Sequence, residues 1–258
     1  MSRLLYADLY RMYGKKRFWA FVIAMLAVAV MFILMQYTAM DYVVALDRVI
    51  FLPMSFYGII AAALVSFFVG EDFSDGVIRS KLIAGRSRSS VYCSNLFTVG
   101  TAGLALYFWM VGLMVGMGIF LFENNVTGEE FMKFLGLGAL TCLAMCSLFG
   151  MISMLKGEKA TSVMVCMAVA FAMLFLCLHT HQIIVQPEYK DGVLNPHFAR
   201  GIRRFLYEIL HDLNPMGQAA QLSAMDCLNP LRWVVCDIFW IVMGIGVGNI
   251  YFQKKDIR

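Results

Sequence analysis

Apolar stretches and polar interruptions alternate along the whole chain. Long apolar runs cover 18–36, 49–69, 97–122, 131–155, 160–178 and 231–252. Each is close to or beyond the roughly 20 residues that a helix needs to cross a bilayer, so the pattern predicts six spans, the longer ones tilted or protruding. The first run is too long for the apolar region of a signal peptide, and no small-residue cleavage site follows it, so it is expected to be retained. Pro53 falls in the first turn of the second run, where a missing N–H costs least. Between the runs lie a short polar loop at 41–48, a tight charged turn from Lys156 to Lys159, and a long segment, 179–230, with four of the five prolines.

Three of the interruptions have internal order. Over residues 1–17, Leu5, Leu9, Met12, Tyr6, Tyr10 and Tyr13 share one helical arc, while Arg3, Asp8, Arg11 and Lys15 share the opposite one. That pattern predicts an amphipathic helix in the membrane interface, with its tyrosines at headgroup depth. Within 179–230, the apolar positions Phe198, Ile202, Phe205, Leu206, Ile209, Leu210 and Leu213 alternate with Arg200, Arg203, Arg204, Glu208 and Asp212. A second amphipathic helix is expected there, ended by Asn214-Pro215, with a further short helix over 216–225. Two short helices joined in this way can dip into the membrane and return, because irregular backbone is tolerated where protein buries it. The third ordered interruption, 71–96, is rich in charge, and Gly76 and Gly85 divide it into short helical pieces.

Composition fixes the class. The chain is 61% hydrophobic and 15% charged, against roughly 45–50% and about 25% in soluble domains. Such a chain cannot cover itself with polar surface. The expected fold is therefore all-α and integral to a membrane, one transmembrane domain over 1–258. Lysine and arginine then set its orientation. Fourteen of the 21 fall at the N-terminus (3, 11, 15, 16, 17), in 71–96 (79, 81, 86, 88), in the tight turn (156, 159) and at the C-terminus (254, 255, 258). This bias places both termini and the 71–96 loop in the cytoplasm and 179–230 outside. The cluster Arg200, Arg203 and Arg204 runs against it. The net charge of +4 fits an anionic leaflet better than nucleic acid.

Motifs for chemistry are missing. There is no GxxxxGK[ST] to cradle nucleotide phosphates, no HExxH and no GxSxG. Glu129-Glu130 lies in an outer loop without a matching His and reads as a solvated helix start. His179 and His181 are two apart, so they do not share a helical face, and they read as polar residues at the mouth of the fifth span. Asp237 is the one carboxylate well inside a span: a functional candidate by default, with a hydrated interfacial Asp as the plainer alternative. The seven cysteines show no metal-type spacing, and most sit in apolar runs. Without a row of buried ionisable groups, a proton-driven pump is disfavoured. Gly112 and Gly116, and Gly244 and Gly248, form GxxxG pairs that let helices approach closely. Packing inside one subunit is the favoured reading, and a seam between two copies is the alternative.

The 71–96 loop carries a resemblance. Glu71-Asp72 after the second span, then Asp75-Gly76-Val77-Ile78-Arg79-Ser80-Lys81-Leu82, Gly85-Arg86-Ser87-Arg88 and Val91-Tyr92, resembles the membrane subunits of ABC-2 type exporters, with Val77 where that family has Thr. Asn214-Pro215 and the ending Tyr251-Phe252-Gln253-Lys254-Lys255-Asp256-Ile257 are similar to the same family. The resemblance implies a permease that holds no cofactor itself, two copies or siblings of it resting on a separate cytoplasmic ATPase that binds ATP and Mg²⁺. It implies a coupling helix in 71–96, with Glu71, Asp72, Arg79, Lys81, Arg86 and Arg88 as the contact, and a bacterial plasma membrane as the setting. An amphipathic peptide or lipid-like cargo follows from the apolar interior. A non-transporting membrane sensor or scaffold, or a membrane-embedded enzyme, are the other classes considered.

Overall fold

A computed structural model describes residues 2–39, 45–123, 125, 127–190, 193–195 and 198–255. The helices are α1 (Ser2–Gly14), α2 (Lys16–Ala39), α3 (Met54–Ser74), α4 (Val77–Ile83), α5 (Arg88–Leu121), α6 (Gly128–Lys156), α7 (Lys159–Ile184), α8 (Gly201–Leu213), α9 (Pro215–Ser223) and α10 (Pro230–Lys254). A short antiparallel hairpin, β1 (Tyr189–Lys190) with β2 (Val193–Leu194), joins α7 to α8. Six helices, α2, α3, α5, α6, α7 and α10, are long and apolar enough to cross a membrane. Large apolar side chains such as Ile23, Phe120, Phe175 and Leu231 stay exposed on their flanks, as a lipid-facing surface requires. The protein is a multi-pass helical membrane protein.

Two spans form the centre. In α3 and α6, 67% and 61% of the membrane-length window is buried, against 22–33% in the other four. Small residues bring the neighbours in. A side chain at Gly244 would collide with Ser147 of α6, and one at Gly248 with Tyr92 of α5, so α10 lies tightly on both, and the Tyr92 hydroxyl donates to the Gly244 carbonyl. Gly112 and Gly116 of α5, by contrast, face open space.

The helices differ from the apolar runs in two places. Val49, Ile50 and Phe51 belong to the second run, yet they sit in turns ahead of α3 and are fully enclosed there. Pro53 starts the helix at Met54, and the Leu46 N–H donates to the Glu123 carbonyl at 2.9 Å, which ties this turn to the end of α5. At its other end α3 continues past the apolar residues through Glu71, Asp72 and Ser74. Likewise α5 begins at Arg88, inside the polar loop, where the Ser87 hydroxyl accepts from the Ser90 N–H at 3.2 Å and so caps a terminal donor. Of 71–96, only 75–87 lies between spans. Residues 41–44 of the predicted loop at 41–48, Pro196, and Asp256, Ile257 and Arg258 of the tail lie outside the described residues.

The helices α8 and α9 follow the expected Asn-Pro break. The Asn214 carboxamide oxygen accepts from the Met216 N–H at 3.1 Å, while its amide donates to the Met173 carbonyl of α7 at 2.7 Å. This turns the chain so that α9 enters among α3, α6, α7 and α8, with Pro215, Met216, Gly217, Gln218, Ala219, Gln221 and Leu222 all buried.

Candidate functional site

Polar chemistry is concentrated where α1, α3, α4, α5 and α7 meet. The burial of Glu71 and Asp72 at the end of α3 demands partners, since a carboxylate taken out of water is costly unless paired. The partners come from α1, the α1–α2 junction, α4 and the start of α7. Glu71 receives Lys15 Nζ at 2.8 Å, Lys159 Nζ at 3.3 Å, and Arg17. Asp72, 0% exposed, pairs with Arg11 and lies 3.9 Å from Lys81. The third carboxylate is Asp8, which receives Lys81 at 2.7 Å, Arg11 at 3.7 Å and the Ser94 hydroxyl at 2.7 Å. The rings of Phe68 and Phe67 floor the cluster, with Arg11 and Lys15 at 5.5 and 5.6 Å from the first and Lys159 at 5.7 Å from the second, within cation–π range. Burial draws the Lys15 ammonium below the ordinary lysine range, against the opposing pull of Asp72.

Part of the charged arc of α1 therefore faces the protein: Asp8 is buried and Arg11 and Lys15 half-buried, while Arg3 is exposed, and Met12 of the predicted apolar arc turns inward with them. Leu4, Asp8 and Met12 are buried, whereas Tyr6 and Tyr10 point away. Sequence reasoning found the arc but not its target. Asp8, Arg11, Lys15, Arg17 and Lys159 join the site only through tertiary contact.

The short helix α4 hangs from this cluster. Gly76 (φ +66°) and Gly85 (φ +79°) take left-handed backbone at its two ends, which a residue without Cβ adopts at little cost. Ile78 is buried, and Lys81 and Leu82 are half-buried. Arg79, Ser80, Ile83 and Arg86 are exposed, Ile83 by 79%. Among the described residues neither Arg79 nor Arg86 has an ion-pair partner. Arg88 instead donates to the carbonyls of Gln253 (2.8 Å) and Lys255 (2.6 Å). Lys255 donates to the Met154 carbonyl at 3.0 Å and lies 4.6 Å from the Phe73 ring; burial lowers its pKa to about 8. So the six predicted contact residues divide. Arg79 and Arg86 are presented outward, Lys81 and Arg88 brace α4 and the tail, and Glu71 and Asp72 are internal anchors.

A second polar cluster lies at the α8 end. Arg232 of α10 pairs with Asp212 and lies 3.7 Å from Glu208, which also receives Arg204 at 3.1 Å. Asp237 is 0% exposed rather than hydrated; one of its oxygens lies 3.1 Å from the Thr141 hydroxyl and the other has no hydrogen-bond partner. The ring of His181 stacks on that of His211 with centroids 5.8 Å apart, a neighbour from α8 that the sequence spacing did not disclose, while His179 meets Tyr207. No cluster of three or more metal-binding side chains forms among the described residues. Between α5, α6 and α10 runs an apolar groove of about 480 Å³, lined by residues such as Leu96, Phe97, Leu143 and Ile245. Comparison of the chain with protein-family models and with curated proteins yields no match.

Proposed function

We propose that this chain is the membrane subunit of an ATP-driven exporter of the ABC-2 type. Two copies, or this chain and a sibling, would rest on a separate cytoplasmic ATPase that binds ATP and Mg²⁺. The observation that carries the reading is α4: a seven-residue helix between two spans, fixed to α1 on its inner side and offering Arg79 and Ile83 on its outer side, with Arg86 exposed in the turn that follows. A short rigid element of this kind transmits a push, because Lys81 and Ile78 link it to α1, α3 and α5 rather than leaving it on a loop. The charge distribution supports placing α4 in the cytoplasm of a bacterial cell. Thirteen of the described lysines and arginines lie at the α4 end, and the helix ends at Lys156–Lys159 and Lys254–Lys255 meet there too.

In this reading α1 lies in the membrane interface with its tyrosines toward headgroups, and α8–α9 dip into the bundle from the outer side. The spans offer an apolar groove and few ionisable groups, which favours an amphipathic peptide or lipid-like cargo over an ion. The test is co-purification. The wild-type chain, isolated from its native membrane, is expected to bring down a nucleotide-hydrolysing chain. Arg79→Glu with Arg86→Glu is expected to release that chain while membrane insertion and the melting temperature stay unchanged. Undiminished co-purification by the double variant would remove α4 from the coupling role.

A further inference from the structure

Beside the buried ion pairs, the α4 end holds an open basin of about 410 Å³ lined by Lys15, Lys16, Arg17, Glu71, Asp75 and Lys159. Four cations face two carboxylates there. Glu71 alone serves three of the four, with only two oxygens, and Asp75 is exposed. The basin thus keeps positive charge that the described residues do not neutralise. Arg17 and Lys16 are exposed around it, and the ammonium groups of Lys15 and Lys159 are held over the rings of Phe68 and Phe67. Directly adjoining, and sharing Lys15, Arg17 and Glu71, is an apolar recess of about 20 Å³ walled by Phe18, Phe21, Leu64 and Phe67, room for about one water and none for a chain. The basin therefore suits a compact anionic head whose apolar body stays in the surrounding bilayer.

We propose that this basin binds the phosphate of an anionic phospholipid whose acyl chains remain in the bilayer beside α2. Lysine and arginine bind phosphate through charge-assisted hydrogen bonds, arginine through its planar fork. The position suits the lipid rather than a soluble anion. The basin opens at the end of two spans, α2 and α3, where headgroups sit, and Trp19 is exposed on the same turn of α2, as interfacial Trp residues are. Arg17 and Lys16 close over the phosphate, and Lys15 and Lys159 divide their N–H donors between it and Glu71. This site is independent of the ATPase contact at Arg79 and Arg86.

The experiment is native mass spectrometry of the full chain in detergent with added phosphatidylglycerol, phosphatidylcholine or inorganic phosphate. The wild type is expected to retain phosphatidylglycerol over phosphatidylcholine. Arg17→Gln and Lys16→Gln, both on the surface, are each expected to weaken phosphatidylglycerol binding about fivefold, from the worth of one cation near an anionic lipid. Arg86→Gln, an exposed cation in the turn after α4, should leave it unchanged. Glu71→Gln, which removes a competing anion, should tighten it. Equal retention of the two lipids overturns the site, as does a loss with Arg86→Gln equal to that with Arg17→Gln. Displacement of the lipid by inorganic phosphate at matched concentration would assign the basin to a free anion instead, and a basin blocked by a bound protein chain in place of lipid would likewise refute it.

Discussion

The hydroxyl of Thr141 accepts from the Trp233 indole at 2.8 Å and reaches Asp237 at 3.1 Å and Gln218 at 3.2 Å, so α6, α9 and α10 meet at one atom. Gln218 in turn donates to the Asp212 carbonyl at 2.8 Å. Thr141→Val keeps the shape but leaves a buried indole N–H and a carboxylate without their partner. The expected loss is about 2 kcal/mol, read as a lower melting temperature in detergent, with Thr141→Ser close to wild type. A second expectation concerns His211, whose Nδ1 lies 2.8 Å from the Thr180 hydroxyl. Burial, with His181 adding to it, lowers the His211 pKa to about 4, against about 6.5 in an unfolded chain. Between these values the unfolded chain takes up a proton and the folded one does not, so stability falls as pH drops from 6.5 towards 4 and is unaffected above 6.5. His211→Asn should flatten that part of the pH–stability curve. An unchanged slope would show that His211 is as free to protonate as an unfolded histidine.

Among the elements, α1 and α8 share one property: each buries an aspartate against the protein and leaves large apolar side chains exposed. In α8 the exposed side is Ile202, Phe205, Leu206 and Leu210, and the inner side holds His211 and Asp212. The two amphipathic helices were legible from residue spacing. Which arc packs inward was not, because the deciding partners are remote. Asp72 is 61 residues from Arg11, and Thr141 is 96 residues from Asp237. Long apolar runs disclosed the six spans, but Val49, Ile50 and Phe51 are as apolar as a span and form a buried turn, which only tertiary packing distinguishes. Arg11→Met leaves Asp72 buried beside a more distant Lys81, with an expected cost of about 3 kcal/mol; limited proteolysis should then cut within α1 faster than in the wild type. The glycine pairs also separate at this scale. Gly248→Leu, which would meet Tyr92, should destabilise the monomer by about 1–3 kcal/mol, whereas Gly112→Leu, in open space, should stay within about 0.5 kcal/mol.

At the scale of the molecule, all the links between helix ends sort the chain into an α4 end and an α8 end. If the α4 end is cytoplasmic, Ser80→Cys in intact cells should resist a membrane-impermeant maleimide while Arg203→Cys reacts; the opposite labelling would invert the topology. The inward charges of α1 also bear on how the protein is made. The carboxylate that anchors Arg11 is translated 61 residues after it, and Lys81 and Ser94, which hold Asp8, also come later in the chain. Until then Arg11 and Asp8 have only each other as counter-ions, and the tyrosines have lipid. The helix α1 can take its place only once α3, α4 and the start of α5 are present, so a segment made early finds its seat late.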